Sequence, residues 1–433
     1  MKRNDKRVVI TGIGPVSPVG IGKKDFWEGL CSQNLSINKI DYKVGKKKWV
    51  SFYKHEVKNF NINSFGIDNY AMKCLNDWKK YEDVDLLYLL AATKLAIDDA
   101  HLKYDRESNK IGLIVTHENP GLEHYFSEIL ESSFDFLSNN KSDKIKFYNY
   151  MFKKMLKNSF ELQTFMPLFH IARTFGIHGY SLFINNACAS GAYALEEARK
   201  AICMNQCNAV VVVGGDCPNV YKYLWFKSLG MHLDDIAMRP FSSKSSGFLM
   251  GDGSSGLVLE SLDSALKRGA YIYGEYLGGS FSSEAWKVTW PNPSSKQYES
   301  TIREAVKVSG LDIKDIDLLV PHGVATSISD KFEAKSISNV FGKELSQLKV
   351  TALKPYFGHN LGGNTLLELL ATLLMLKKKQ ILPTLNIEPK EIISDLNMVT
   401  ESKKLNFSTV LKSTCAFAGF NSAVVIRKCD KNV

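Results

Sequence analysis

The sequence predicts an α/β fold made of two similar halves, and three observations lead to this expectation. Short runs rich in β-branched residues alternate with longer amphipathic segments along the chain, as in proteins whose sheets are covered by helices. The 433 residues exceed the usual size of one domain, so two domains or two fused halves are expected. A nucleophile-like cysteine follows a strand in the first half, and two histidines each follow a strand in the second, so each half is expected to supply part of one site.

The predicted strands are nearly continuous in apolar character, as expected for a sheet covered on both faces. They cover residues 7–12, 110–116, 180–185, 208–215, 256–260, 316–323, 349–353 and 422–428. The predicted helices cover residues 84–101, 191–205, 297–309, 329–341 and 363–379. We find no Pro- or Ser-rich linker, so we expect one compact body with its N-terminal half at 1–260 and its C-terminal half at 261–433.

One segment, residues 125–165, stands apart from this pattern. It is rich in aromatic residues and lysine and is predicted to be helical. We expect it to form an excursion from the α/β core that shapes a pocket or packs on a partner.

Composition indicates a soluble globular protein, with 45% hydrophobic and 23% charged residues. No apolar run approaches the about 20 residues that span a bilayer. The first apolar run is too short for the core of a secretory signal. We therefore expect a cytoplasmic protein without a membrane span.

The eight cysteines do not form a recognisable scaffold. Their density is too low for a disulfide-rich fold. Cys203, Cys207 and Cys217 lack the paired C-x2-C spacing of a zinc site. No metal site is predicted.

The formal net charge of +10 has two interpretations. Lysine clusters near residues 43–48, 73–80, 141–157 and 377–379 could simply be solvated surface, or they could bind an acidic partner. Nucleic acid is disfavoured, since the basic runs lack interleaved aromatic residues on a recognisable motif.

The candidate nucleophile is Cys188, in the segment NNACASGAYALEEARKAI at 185–202. A strand leads into small residues around the cysteine, and an amphipathic helix follows. The sulfur is therefore predicted at a helix N-terminus, where backbone N–H groups and the helix dipole stabilise a thiolate.

Two histidines in the second half are the candidate partners of this cysteine. His322 and Gly323 end an apolar strand, and Asp330 lies on the helix that follows as a supporting residue. His359 shares a short glycine-rich loop with Lys354. Glu368 lies in the strongly apolar helix after this loop and needs a buried partner, for which Lys354 is plausible.

These motifs, with RVVITGIGPVSPVG at 7–20, RPFSSKSSGFLMGDGSSG at 239–256 and the small-residue loop STCAFAGFNSAVV at 413–425, resemble those of the β-ketoacyl-acyl-carrier-protein synthases. These are elongating type II condensing enzymes of thiolase-like fold, and the resemblance covers nearly the whole chain. It implies a layered αβαβα body and an acyltransferase that needs no cofactor and no metal.

The resemblance also implies roles for the site residues. Cys188 would accept an acyl chain from a carrier-protein thioester, and His322 and His359 would promote decarboxylation of malonyl-carrier protein. Lys354 would hold the histidine network, with Glu368 as its carboxylate partner. The backbone N–H groups of Cys188 and Phe417 would form the oxyanion hole.

Partners follow from the same resemblance. It implies an acyl carrier protein in acyl and malonyl forms, and a homodimer or a heterodimer with a related subunit. The 125–165 segment would reach the dimer interface or the pocket. A basic docking patch for the acidic carrier is expected at Lys73, Lys79 and Lys80.

Two loops depart from the family pattern. Where the family has His-Gly-Thr-x-Thr, this chain has Val324 and keeps only Thr326 to help position the malonyl group. Where the family has a bulky residue followed by Gly-Phe-Gly-Gly, this chain has Cys415 followed by Ala-Phe-Ala-Gly. These changes favour a stiffer loop, a wider pocket mouth and a specialised synthase of fatty-acid, polyketide or polyene type.

Two alternatives stay open. A non-catalytic partner subunit that sets chain length would share the fold, although such subunits generally lack the nucleophile. A degradative thiolase would use a second catalytic cysteine late in the chain, a position near Cys415.

Overall fold

A computed structural model describes residues 6–44, 48–77, 80, 83–103, 110–118, 141–158 and 163–429. Within these residues the strands are β1 Val8–Ser17, β2 Gly20–Ile21, β3 Ile37–Val44, β4 Lys48–His55, β5 Ile111–Thr116, β6 Ser181–Ile184, β7 Ala209–Asp216, β8 Met250–Gly251, β9 Gly253–Ser261, β10 Gly274–Ser283, β11 Leu318–Val320, β12 Lys349–Val350, β13 Gln380–Ile381, β14 Lys403–Lys404, β15 Thr409–Cys415 and β16 Phe420–Arg427.

The helices alternate with these strands along the chain. They are α1 Gly22–Ser32, α2 Asn69–Asp77, α3 Val84–Asp99, α4 Lys141–Asn158, α5 Met166–Phe175, α6 Ser190–Cys203, α7 Val220–Ser228, α8 Leu262–Lys267, α9 Lys296–Val308, α10 Ser327–Phe341, α11 Lys354–Phe357 and α12 Asn364–Lys378. No helix among the described residues is both long and apolar enough to cross a membrane.

The main sheet repeats one strand order in its two halves. From the β1–β10 pair at its centre, the N-terminal strands run β1-β9-β7-β5-β6 and the C-terminal strands run β10-β16-β15-β11-β12. If the five strands of each half are numbered in chain order, both halves read first, fifth, fourth, second, third from the centre of the sheet outward. The directions also match, because β9 and β16 are antiparallel to both neighbours and the outer strands are parallel. This repetition confirms the two similar halves.

Five layers follow from how the helices cover the sheet. Helices α6 and α12 pack together between the two halves of the sheet, in the largest apolar cluster. Helix α3 covers the outer face of the N-terminal strands, and α9 and α10 cover that of the C-terminal strands. Every residue of α12 from Asn364 to Met375 is buried, as expected for a helix that is apolar all round. The αβαβα body is therefore confirmed.

The middle layer brings the two halves within reach of each other. A Cβ atom at Gly191 on α6 would lie 2.8 Å from the Leu366 side chain on α12, so the absence of a side chain allows this close contact. The N-terminal ends of both helices meet there. The nucleophile candidate precedes one of these ends, and His359 precedes the other.

Each predicted strand or helix overlaps an observed one, although the boundaries differ by several residues. The sequence prediction missed the β3–β4 hairpin, β10 and β15. Of the helical excursion at 125–165, the structure has α4 at Lys141–Asn158, while 125–140 and 159–162 lie outside the described residues. The last N-terminal strand of the repeat ends at Ser261 and the first C-terminal one begins at Gly274; the boundary after residue 260 stays a prediction.

Candidate active site

The nucleophile candidate lies in a tight turn between β6 and α6. Ala187 has a φ of 50°, a left-handed conformation that is costly for alanine and places the next side chain toward the second half. The Ser190 hydroxyl accepts a hydrogen bond from the Asn186 N–H at 2.8 Å and donates one to the Ala187 carbonyl at 2.6 Å. Thr365 on α12 donates to the Cys188 carbonyl at 2.9 Å. These contacts fix the position of the thiol, which is buried.

Both predicted histidines lie beside this thiol. Cys188 Sγ is 3.1 Å from His359 Nε2, and the His322 and His359 rings are 5.6 Å apart between centroids, with their planes at 80°. One donor atom from each of the three residues lies within 4.8 Å of the others. Residues separated by up to 171 positions are thus brought to one point, as the sequence predicted.

Lys354 determines the tautomer of His322. Its ammonium lies 3.3 Å from His322 Nδ1 and also donates to the His322 carbonyl. An ammonium has no acceptor lone pair, so Nδ1 must accept and the neutral ring carries its proton on Nε2. His322 therefore presents an N–H donor on the side of the ring opposite to Lys354.

The predicted pairing of Lys354 with Glu368 is present. Lys354 Nζ is 3.1 Å from Glu368 Oε1, and both side chains are fully buried. A second buried lysine, Lys412 on β15, lies 2.8 Å from Glu368 Oε2. One carboxylate is therefore shared between two ammonium groups.

Two further acids on α10 hold the loop after β11. Glu333 accepts hydrogen bonds from the backbone N–H groups of His322 at 2.6 Å and Gly323 at 2.8 Å. Asp330 accepts from the N–H of Phe241 at 2.7 Å and of Ala325 at 3.1 Å. Asp330 is thus a structural support for the histidine loop and does not line the cavity beside the thiol.

Burial keeps the reacting groups neutral. Burial, followed by the charge of Lys354, lowers the pKa of both His322 and His359 well below the ordinary value. Burial, followed by the charge of Glu118, raises the pKa of the Cys188 thiol. The sequence predicted a thiolate stabilised at a helix N-terminus, and this stays a prediction, because burial of the thiol acts against the helix dipole. Both pKa shifts favour the neutral thiol and the neutral imidazole of this pair.

A mostly apolar cavity leads to these three residues. The Thr326 hydroxyl is buried, with no hydrogen-bond partner among the described residues, so it is free to meet a polar group of a ligand. The residues that line the cavity are Cys188, Phe226, Met231, Phe248, Glu284, Val288, Thr289, Trp290, Pro291, His322, Val324, Thr326, Ser329, Phe332, His359, Cys415, Ala416, Phe417, Gly419 and Asn421.

The predicted gate loop forms one wall of the cavity. Cys415 lines the cavity, and its role as a gate stays a prediction. Ala418 adopts a φ of 57° and donates its N–H to the Val288 carbonyl at 2.7 Å. The Phe417 ring packs on Phe226, with centroids 5.8 Å apart. The loop is thus held on two sides.

Of the predicted docking lysines, Lys73 and Lys80 do not line this cavity. Lys73 is exposed on α2, whereas Lys80 is only 13% exposed and pairs with Asp83 at 3.2 Å. Lys79 lies outside the described residues. The structure therefore leaves the docking patch a prediction.

Several residues of the site were missed from the sequence. Lys412 could have been noticed as a single charge inside an apolar strand, TVLKSTC. Glu118 is paired with Lys222 at 3.1 Å, and its charge acts on Cys188. Burial raises the pKa of Glu118 to about 7. Glu118 follows β5, a strand that we predicted without singling out its end.

The donor set of the site matters for metal binding. Cys188, His322 and His359 offer a sulfur and two imidazoles, a set that zinc accepts. However, the Lys354 ammonium 3.3 Å from His322 would repel a divalent cation. The residues fit acid–base and nucleophilic chemistry better than metal binding.

Comparisons with known proteins agree with this geometry. The sequence profile of the "Beta-ketoacyl synthase, N-terminal domain" matches residues 5–265, and that of the C-terminal domain matches residues 273–388. The chain is 29% identical to 3-oxoacyl-[acyl-carrier-protein] synthase 2 of Staphylococcus aureus, over 98% of this chain and 99% of that protein.

Two solved structures share the fold over 98% of this chain and 100% of theirs. The ishigamide ketosynthase/chain length factor has a TM-score of 0.83 at 24% identity. A structure of a type II PKS acyl-carrier protein in complex with its ketosynthase, which carries a bound hexaketide, contains a chain with a TM-score of 0.79 at 23% identity.

Proposed function

Because this chain belongs to the β-ketoacyl synthase family, we propose that it condenses a Cys188-bound acyl chain with malonyl-acyl-carrier protein, giving 3-oxoacyl-acyl-carrier protein and CO2. The observation that carries the proposal is the position of a buried thiol 3.1 Å from His359, with the neutral, Nε2-protonated His322 beside it. A nucleophile, a base and a hydrogen-bond donor therefore line one cavity.

The first step transfers the acyl chain. The Cys188 thiol passes its proton to His359 Nε2, and the sulfur attacks the carbonyl carbon of the acyl thioester. The backbone N–H groups of Cys188 and Phe417 would stabilise the oxyanion that forms. The carrier thiolate leaves and takes the proton from His359, so the ring is neutral again for the second step.

The second step makes the carbon–carbon bond. Malonyl-carrier protein loses CO2, and the electron pair of the broken bond forms an enolate of the thioester. A hydrogen bond from His322 Nε2–H, and one from His359 once its ring proton lies on Nε2, would stabilise the enolate oxygen as its charge develops. The enolate carbon attacks the acyl carbonyl, and Cys188 leaves as a thiolate, which takes a proton from solvent water. No electron acceptor or cofactor is needed.

The partners follow from the chemistry and from the relatives. The S. aureus relative is a 3-oxoacyl-[acyl-carrier-protein] synthase, and one structural neighbour is bound to an acyl-carrier protein. We infer an acyl carrier protein as the donor of both substrates here. A neighbour described as ketosynthase/chain length factor makes a heterodimer with a related subunit as reasonable as a homodimer.

The rival function from a different class is a non-catalytic partner subunit. The joint presence of Cys188, His322 and His359 at contact distance favours an active subunit, since such partners generally lack the nucleophile. An active subunit that needs an inactive mate is the intermediate case. Gel filtration of the chain alone, combined with an activity assay, separates these cases. The family assignment argues against a degradative thiolase.

A specialised pathway is our inference from the two altered loops. Val324 replaces a threonine hydroxyl with methyl groups at the cavity, and alanines replace glycines beside Phe417. We expect this gene not to restore ordinary fatty-acid elongation in a strain depleted of its elongating synthase. Growth restored to the normal rate would contradict a specialised role.

Intact-mass spectrometry tests the nucleophile directly. After mixing with acyl-carrier proteins that bear different chains, the native protein is expected to gain one acyl mass, and Cys188→Ala none. Cys217→Ala, which removes a thiol outside the cavity, is the matched control and is expected to acylate normally. No adduct with any acyl donor would favour the partner-subunit function.

A further inference from the structure

Lys412 is a buried cation with no part in the two steps described above. It lies on β15 with only 1% of its surface exposed, among the largest fully buried side chains of the described chain. A lysine in such a place costs free energy unless its charge is paired and its three N–H groups are bonded. The contacts of its ammonium therefore indicate what it does.

Three oxygens from three different elements surround this ammonium. The Pro321 carbonyl, at the end of β11, accepts from Lys412 Nζ at 3.1 Å, and the Ser413 carbonyl on β15 accepts at 2.8 Å. Glu368 Oε2 on α12 lies at 2.8 Å. The two carbonyls accept hydrogen bonds from the ammonium, and the Glu368 carboxylate forms an ion pair with it. Lys412 thus joins the strand before His322, the strand before the Phe417 loop and the middle-layer helix.

Lys412 is also connected to the His322 ring through Glu368 and Lys354. Glu368 presents its other oxygen to Lys354, and Lys354 contacts His322 Nδ1. With Lys412 in place, each lysine occupies one carboxylate oxygen. Without Lys412, Lys354 would be free to bridge both oxygens and to move away from His322. The charge of Lys412 also helps to lower the pKa of both histidines.

We propose that Lys412 is a positioning residue for decarboxylation: it fixes the Pro321 carbonyl and Glu368, and thereby holds His322 through Lys354. The proposal rests on the condensing function proposed above. It places the effect of Lys412 on His322 and the malonyl group, and not on the acylation of Cys188, whose proton goes to His359.

The discriminating variant is Lys412→Met, which keeps the length of the side chain and removes its charge. We expect CO2 release from malonyl-acyl-carrier protein to fall by about 10–100-fold, a typical loss for a residue that orients a functional group. Acylation of Cys188, followed by intact mass, is expected to stay within about threefold of the native rate. The acid limb of the pH profile, where the rate of CO2 release falls as the histidines become protonated, is expected to move to higher pH. The reason is that the variant lacks a positive charge that lowers the pKa of both histidines.

Lys54→Met is the matched control. Lys54 is also an ion-paired lysine, half-buried and 2.9 Å from Asp252, and its carboxylate partner is therefore not Glu368. It is expected to lower stability without moving the acid limb. If Lys412 had only a structural role, Lys412→Met would lower acylation and CO2 release equally and leave the acid limb unmoved. That result would overturn the proposal. Unchanged CO2 release would overturn it as well.

A second variant covers the case in which Lys412→Met does not fold. Lys412→Ala leaves a space lined by the same three oxygens, and methylammonium is expected to restore CO2 release in it, with bulky choline as the salt control. A variant that ignores methylammonium, or that stays unfolded in its presence, would contradict the positioning role. If the native protein itself released no CO2, the proposed condensing function would be contradicted. A failure of that function is thus distinguishable from a failure of the positioning role of Lys412.

Discussion

Replacing His322 by alanine is expected to slow CO2 release from malonyl-acyl-carrier protein by about 10²–10³-fold, the usual cost of removing one donor to a developing oxyanion. The same variant should acylate Cys188 almost normally. The reason is geometric, because Lys354 holds the Nε2–H of His322 toward the cavity while the thiol is bonded to the other histidine.

Replacing His359 by alanine should give a different pattern. Its Nε2 is the atom 3.1 Å from Cys188 Sγ, so the variant loses the group that takes the thiol proton and also one donor to the enolate. Acylation is therefore expected to fall by about 10²–10⁴-fold, along with CO2 release. The two histidines are then separable by which half-reaction each variant loses.

His178→Ala is the control for both variants, because His178 is exposed and lies outside the cavity. CO2 release is measured in reactions stopped at set times. Acylation of Cys188 is measured in the same samples by intact-mass spectrometry. Equal losses of acylation in the two catalytic-site variants would contradict the division of roles. Full acylation by His359→Ala would show that another group takes the thiol proton.

The architecture was largely predictable from the sequence because buried strands and helices leave local patterns. The run AVVVVGG of β7 is apolar on both faces, and its position under helices on either side explains that pattern. Strand β10, GEYLGGSFSS, was missed since it contains no apolar run. Its glycines allow close contact with β16, where a Cβ atom at Gly279 would lie 2.7 Å from the Ala423 carbonyl.

The site was predictable in its reacting groups and less so in what supports them. Cys188, His322 and His359 each lie in small-residue or glycine-containing loops after strands, and such loops allow a side chain to reach a cavity. Glu333 and Lys412 lie on elements whose local sequence says nothing about their partners. Glu333 bonds backbone N–H groups about ten residues away, and Lys412 bonds a carbonyl 91 positions away. Only the folded chain identifies such contacts.

The pKa of the nucleophile depends on more than the local sequence. A helix N-terminus favours a thiolate when the sulfur is partly exposed. Here the thiol is buried, and burial raises its pKa while also lowering that of the adjacent imidazole. Desolvation is a property of everything packed around Cys188, so the sequence of its own helix could not predict it.

Glu368→Gln is expected to cause the largest loss of stability among these variants. The glutamate is fully buried between Lys354 and Lys412, and neutralising it leaves two buried ammonium groups without a counter-charge. Breaking a buried ion pair by removing one partner typically costs about 3–5 kcal/mol. The midpoint of thermal unfolding should fall clearly, while Glu388→Gln, in the exposed pair with Lys390, should leave it unchanged.

The double variant Glu368→Gln, Lys412→Met tests the cause of that loss. It removes one of the two uncompensated charges, so it should be more stable than Glu368→Gln alone. A double-mutant cycle measures this coupling between Glu368 and Lys412 directly.

The pH dependence of stability gives the second test. Burial lowers the pKa of Lys412, and Glu368→Gln removes the negative charge that opposes this shift. In the variant the unfolded chain therefore binds more protons than the folded chain at this lysine, and stability rises with pH. The deficit of Glu368→Gln should therefore shrink between neutral and alkaline pH. A deficit that is independent of both pH and Lys412 would mean that Glu368 stabilises the fold by packing and not by its charge.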